Sequence, residues 1–292
     1  MRAEPTVAIL GAGVMASSTI HHLHRTGFEL RLFNRTPARL DAVAPSSAMR
    51  AETPREAAHG ADVIISMVAD DEASAAVWLG EDGALTGARP SAVVVECSTL
   101  SPAWVRQWAE AAREQDLRPL DAPVTGSRPR AAEGTLVMFA SGSRTALREA
   151  EPMLRAMTEQ IYDFGENIGT ATAFKLVNNM LAGSMLVAFA EAFTLAGRLG
   201  LDLGQVLEIQ ARYGWATGIA GGKGRNMLLD THDDVECKLE LLAKDLSYAL
   251  ATTELDLPVS AAAGLQLALA SADGSGGHDM SAIIHSYRKK QP

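Results

Sequence analysis

The sequence predicts an α/β protein in which a Rossmann-type, doubly wound parallel sheet domain is followed by an all-helical domain, the two joined by a long helix. Three observations predict it. Short apolar runs alternate with helical segments through the first half of the chain, a glycine pattern closes the first run, and beyond about residue 165 no convincing strand pattern recurs.

The first run, Thr6 to Leu10, is β-branched and apolar and ends in Gly11-Ala12-Gly13-Val14-Met15-Ala16; a helix is expected from Ser17 to Thr26, closed by Gly27, and a second strand from Glu29 to Phe33. In such a GxGxxA turn Gly11 makes the tight bend. Gly13 lets a backbone approach a pyrophosphate at a helix N-terminus, and the small Ala16 allows close helix–strand packing. Val14 and Met15 belong to the same turn and are expected, with Gly11, Ala12 and Gly13, to bind the cofactor. The motif is weak alone and strong inside a complete β-α-β unit.

The residue ending the second strand selects the cofactor, because a carboxylate there binds a ribose 2′-hydroxyl and repels a 2′-phosphate. Here it is Asn34, followed by Arg35 and Thr36. The expectation is NADP(H), with Arg35 pairing the phosphate; the alternative is that Arg35 is an ordinary surface charge.

Further strands are expected at Ala61–Val68, Ala92–Cys97, Arg118–Ala122 and Leu136–Ser141, with helices near Pro54–His59, Ala73–Leu79, Pro102–Gln115 and Thr145–Met157. Ligands of doubly wound sheets sit at the C-terminal strand ends. Those ends are Gly11 to Met15, Val68-Ala69-Asp70, Cys97-Ser98-Thr99 and Ala122 to Ser127. Thr99 and Thr125 place hydroxyls there, unless they merely cap the next helix or turn.

The sheet domain is expected to span residues 1–164 and the helical domain 165–292, with the joining helix at about 169–199. A helix of some thirty residues is roughly 45 Å long. Asn178, Asn179, Glu191 and Arg198 interrupt its apolar surface, which argues against a membrane span and for burial between domains or subunits. Lys175 and Asn179 are four apart and share a face; Lys175 either snorkels to solvent or carries a function. Helices are then expected at Leu203–Tyr213, Glu236–Leu255, Val259–Ala272 and Met280–Tyr287, with a glycine-rich break at Gly214–Gly224 and a loop at Asp273–Gly277.

The 292 residues are 47% hydrophobic with a formal net charge of −9, a globular composition that argues against nucleic acid or an anionic membrane as the main partner. The short basic stretch Lys289-Lys290 near the C-terminus does not alter that. Cys97 and Cys237 fit neither a zinc nor a CxxC pattern, and no apolar leader precedes Thr6, so a cytoplasmic setting is expected. His21, His22 and His24 read as surface or packing residues, and no metal site is expected.

GAGVMA, the ECSTLSP and DAPVTGS turns, the FKLVNN helix and LLAKDLSYAL together resemble the β-hydroxyacid dehydrogenase family, over nearly the whole chain and in order. The resemblance implies that Lys175 is the general acid or base of hydride transfer, with Asn179 hydrogen-bonding at the same site. It implies that Thr125 and the amides of Gly126 and Ser127 hold a substrate carboxylate, that Thr99 lies by the nicotinamide, and that Lys244-Asp245 approach the active site from the helical domain, Lys244 also toward the cofactor. A lysine partly desolvated in a cleft titrates nearer neutrality, where it can give and take a proton.

The chain departs from the family pattern at Ala16, at Ser127 where a second glycine is usual, and at Cys237 where an aromatic is common. The run from Gly126 through Arg128 and Arg130 to Leu136 looks closest to glyoxylate and semialdehyde reductases. The rival activity is an imine reductase, and the rival of another class is a catalytically silent NADP-binding module. The small residues of the long helix suggest a homodimer or higher homo-oligomer, with Tyr213 and Trp215 lining the pocket or merely packing.

Overall fold

The computed structural model describes residues 5–288; Lys289-Lys290 lies outside the described residues. The chain forms two compact units that meet in sequence at Lys175 and Leu176, inside the helix Thr170–Arg198.

Among the described residues the first unit carries nine strands: β1 (Thr6–Leu10), β2 (Glu29–Phe33), β3 (Met49–Arg50), β4 (Val63–Ser66), β5 (Val93–Glu96), β6 (Arg118–Asp121), β7 (Val124–Thr125), β8 (Leu136–Gly142) and β9 (Thr158–Asp163). They lie in the order β3-β2-β1-β4-β5-β6-β8-β7, with β9 on β8. The six strands from β3 to β6 are parallel. The sheet then turns mixed: β8 runs antiparallel to β6 and to β7, while β9 is parallel to β8.

The central parallel strands β1, β4 and β5 read as nearly continuous apolar runs because both faces are covered. On one face Val7, Ile9, Leu32 and Ile65 pack with Ile20 and Leu23 of the first helix, Val14–Arg25. On the other, Ala8, Leu10, Ile64 and Val94 pack with Trp78 and Trp108, both fully buried. Asp70, Thr53 and Ser101 cap the helices Asp71–Leu79, Pro54–Ala58 and Pro102–Glu114. The cap of the last is therefore Ser101, and Thr99 stays clear of that duty.

Three strands escape the sequence pattern. β3 and β7 have two residues each, too short for any periodicity. β9 comes shortly after the helix Arg144–Arg155 and leaves most of its side chains outside the core, so TEQIYD has no apolar signature.

The second unit is helical. The long helix buries a stripe at Gly183, Leu186, Val187, Ala190 and Phe193, spaced three and four apart, against Leu242, Leu246 and Leu267. Gly183 is needed for that approach: a Cβ there would lie 2.6 Å from Leu246 Cδ1. Thr170–Arg198 has the length and apolarity of a membrane span, yet its buried stripe belongs to a protein core.

The stretch Gly214–Gly224, expected as a break, ends helically: a π-turn at Ala220–Gly224 runs into Arg225–Leu229. Its last glycine serves packing rather than turning, since a Cβ on Gly224 would stand 2.5 Å from Leu207 Cδ1 and 3.1 Å from the Phe189 ring. Asp273–Gly277, expected as a loop, lies partly in another π-turn, Ser271–Ser275, that bends at Gly274 (φ +98°).

Buried charge knits this unit together. Lys223 Nζ lies 2.7 Å from Glu236 and 2.9 Å from the buried Asp279. Burial alone would raise the Asp279 carboxyl, but the bonds from Lys223 and Ser281 hold it below its ordinary value. His232 is buried with Nδ1 2.9 Å from Ser281 Oγ, and burial pushes its pKa below 6.5. It sits within 4.8 Å of His285 and Asp230, a grouping that chain order conceals. Asp230 already accepts from His285 at 3.0 Å and Arg288 at 2.7 Å.

A lowered histidine pKa stabilises the fold above the unfolded value and ceases to do so as pH falls toward the folded one; the lowered Asp279 acts likewise at more acid pH. Thermal melts across pH should therefore show stability declining below about 6.5 and again below about 4. In His232→Gln the first decline should vanish while the second remains.

Candidate active site

The site in the first unit begins where β1 ends. Gly11 has φ +122°, and a Cβ there would meet Met67 O at 2.3 Å. No other residue fits. Gly13 differs, because a Cβ on it would meet nothing within 4 Å, so the backbone there is open to close approach. The helix Val14–Arg25 starts there with no side-chain cap and no acid in its first turn. Uncapped amides and an open glycine suit a pyrophosphate, which is the group the sheet order would place there.

Asn34 closes this loop. Its Oδ1 accepts from Ala12 N at 2.9 Å and its Nδ2 donates to Thr36 O at 2.8 Å. The strand-end asparagine therefore leaves no carboxylate beside the exposed Arg35 and Thr36 and fixes the glycine turn as well.

Next to it, the ends of β4 and β5 are tied by a buried carboxylate that sequence reasoning missed. Glu96 accepts from Ser74 Oγ at 2.7 Å, Trp78 Nε1 at 2.8 Å and Ser98 N at 2.9 Å. Ser98 Oγ in turn accepts from Val68 N at 2.8 Å. Burial pushes the Glu96 carboxyl up, against these bonds. The chain Glu96–Ser98–Val68 thus sets the turn Val68-Ala69 relative to Thr99. Cys97, between them in sequence, is buried, and burial with the charges of Glu96 and Asp121 raises its thiol far above the ordinary range. It is a packing residue.

Beyond β6 the chain turns through Thr125, Gly126 and Ser127. Gly126 has φ +129°. Ser127, where the family pattern has glycine, has φ +55°, a left-handed conformation disfavoured for a side chain. The usual glycine is therefore a backbone requirement that Ser127 meets under strain. It also starts a short helix, Ser127–Glu133, where the sequence suggests only a turn.

Lys175 lies in the second turn of Thr170–Arg198 and is only 7% exposed. Asn179 follows one turn later on the same face. In the second unit Asn179 Nδ2 donates to Asp245 Oδ2 at 2.6 Å, and Asn178 donates to Asn179 Oδ1 at 3.3 Å, so its amide orientation is set. Lys244 Nζ stands 3.0 Å from Asp245 Oδ1 and 4.8 Å from the centre of the Tyr248 ring. The structure thus gathers Asn179, Lys244 and Asp245 into one cluster. It sets the Gly11–Met15, Asn34–Thr36, Val68-Ala69, Thr99 and Thr125–Ser127 segments along the strand ends of the sheet.

These features define a nicotinamide-dependent oxidoreductase. The chain belongs to the β-hydroxyacid dehydrogenase family and is an NAD(P)-dependent dehydrogenase of that type. Residues 6–165 match the NAD-binding domain of 6-phosphogluconate dehydrogenase, and residues 169–287 match the NAD-binding domain of NADP-dependent 3-hydroxyisobutyrate dehydrogenase.

Among relatives, the uncharacterized oxidoreductase YfjR of Bacillus subtilis is 32% identical over 95% of this chain and 98% of its own. Glyoxylate/succinic semialdehyde reductase 2 of Arabidopsis thaliana is 28% identical over 97% of this chain and 79% of its own. The crystal structure of a 3-hydroxyisobutyrate dehydrogenase from Salmonella typhimurium superposes with a TM-score of 0.88 at 26% identity, covering 97% of this chain and 99% of that one.

The two loop glycines should separate in the test tube. Gly11→Ala is expected to lower the melting temperature steeply, because its Cβ cannot be accommodated. Gly13→Ala should melt like the wild type yet lose about tenfold or more in nicotinamide nucleotide affinity by fluorescence titration.

Proposed function

We propose that the protein is an NADP(H)-dependent reductase of a small carboxylate-bearing aldehyde or keto acid, of the semialdehyde or glyoxylate kind, with Lys175 as general acid. The observation that carries this is the burial of Lys175 on a helix whose start is bonded to the strand end that leads into the Thr125–Ser127 turn. A lysine is seldom removed from water without a task.

In the reductive direction the carbonyl carbon gains a hydride and its oxygen gains a proton. The bound nicotinamide would supply the hydride. Lys175 Nζ donates the proton to the oxygen as it becomes an alkoxide and recovers it in the reverse reaction. Asn179, held by Asp245, is proposed to hydrogen-bond to substrate, and Lys244 with Asp245 to serve substrate and cofactor. Thr125 with the amides of Gly126 and Ser127 is assigned to the carboxylate, and Thr99 to the nicotinamide side. The Asn34-Arg35 pair supports NADP(H), because it offers a cation and no carboxylate to a 2′-phosphate.

A carbonyl substrate is favoured over an imine by family membership and by the lysine itself. The exposed Val177, Leu181, Leu195, Tyr213 and Trp215 support a homo-oligomer.

The test is initial-rate NADPH oxidation with glyoxylate, succinic semialdehyde, methylmalonate semialdehyde and a cyclic imine. Lys175→Ala should lower kcat with the aldehyde about a hundredfold or more while NADPH binding persists. Turnover of the imine alone, or an unchanged rate in the variant, overturns the assignment. Arg35→Ala should raise the KM for NADPH about tenfold and leave that for NADH unchanged; equal effects on both would remove the NADP(H) preference.

A further inference from the structure

We propose that Asp121 is a positioning residue of the reaction, acting through the first turn of the long helix to set Lys175 against the Thr125–Ser127 turn. This role rests on Lys175 being the general acid.

The residue ahead of Thr170–Arg198 is Gly169, with φ +94° and no side chain to accept a helical amide. The first amides of a helix need partners all the same, and when buried they need them inside the protein. Here strands supply them. Asp121 Oδ2, at the C-terminal end of β6, accepts from Gly169 N at 3.0 Å and from Thr172 N at 3.0 Å. Asp121 Oδ1 accepts from Thr172 Oγ1 at 2.6 Å. Ser141 Oγ of β8 donates to Asp121 Oδ2 at 3.0 Å and accepts from Ala171 N at 3.3 Å. Thr170 N reaches Asn167 O at 3.2 Å, and Ala173 N makes the first helical bond, to Gly169 O at 2.9 Å. Every amide from Gly169 to Ala173 therefore has an acceptor.

Asp121, Ser141 and Thr172 are all fully or almost fully buried. No cation faces the carboxylate in these bonds; its charge is met by amides, hydroxyls and the positive end of the helix. Such a group is costly to bury, and burial does push the Asp121 carboxyl up. A hydrophobic plug or a local serine cap would stabilise the helix start more simply. What Asp121 adds is a connection. It is four residues before Thr125 and, through Thr172, one helical turn before Lys175. The same carboxylate therefore fixes the two groups that must meet at opposite ends of a small substrate, and a shift of about 1 Å between them would cost on the order of a hundredfold in rate.

The experiment compares Asp121→Asn, Thr172→Val and Thr172→Ser with Lys175→Ala and wild type, measuring kcat, KM, NADPH affinity and thermal stability. Asp121→Asn puts an NH2 where an acceptor is needed; Thr172→Val removes one donor with little change of volume, so it keeps the question open to measurement if the first variant does not fold. The expected result is a kcat lowered about tenfold to a hundredfold in both, with NADPH affinity within about twofold of wild type. Thr172→Ser, which restores the hydroxyl, should recover most of the rate. A merely structural carboxylate would move the melting temperature without this split and without this rescue. If Lys175→Ala is inactive while folded Asp121→Asn and Thr172→Val keep wild-type kcat, the positioning role is overturned and the role of Lys175 stands. If Lys175→Ala keeps its rate, the general-acid reading falls and the positioning proposal with it.

Discussion

The bond set around Asp121 joins a strand end to a helix start, and both the Thr125–Ser127 turn and Lys175 follow within a few residues of that junction. β6 can end in a buried carboxylate only because Thr172, Ser141 and two backbone amides satisfy it. The helix can begin at a glycine only because the carboxylate stands in for a cap. Each side removes a cost that the other would otherwise bear.

A similar device recurs one strand away. Glu96 and Asp121 are register partners on β5 and β6, and each directs its oxygens to hydroxyl and N–H donors instead of a cation. Glu96 holds the turn after β4 through Ser98; Asp121 holds the helix of Lys175. Buried carboxylates at the C-terminal ends of neighbouring strands thus tether the segments that follow those ends. The glycine turn after β1 is set by a neutral group, Asn34, whose two amide atoms tie Ala12 to Thr36. Preorganisation of this kind is what positions a cofactor and a proton donor without movement at the moment of reaction.

Much of this is legible in the sequence, and the reasons differ by element. β1, β4, β5 and β8 announce themselves because strands covered on both faces are largely apolar, β2 and β6 by their place in the alternation with helices, and Gly11 because its turn admits nothing else. The long helix is visible from its length, its small residues and Lys175 within an apolar surround. β9 is hidden because a strand with mostly exposed side chains carries no period-two signal. Gly224 misleads, since a glycine required by a neighbour's side chain looks in sequence like one required by a turn. Glu96 and Asp121 are easy to pass over although a signal exists: each is the single acid of its strand and stands at its end. The groupings Asn179–Asp245 and Asp230–His232–His285 depend on helix packing between distant segments, which no local pattern encodes.

Under the proposed function, a hydride passes from the reduced nicotinamide to a carbonyl carbon while Lys175 supplies the proton. A single turnover with NADPH deuterated at C4 of the transferring face, run in H2O and in D2O with the product examined by NMR, tests it most directly. Deuterium is expected on the former carbonyl carbon, with a primary isotope effect and a solvent isotope effect that is lost when Lys175 is replaced. Product without the label, or a solvent effect unchanged by that replacement, would contradict it.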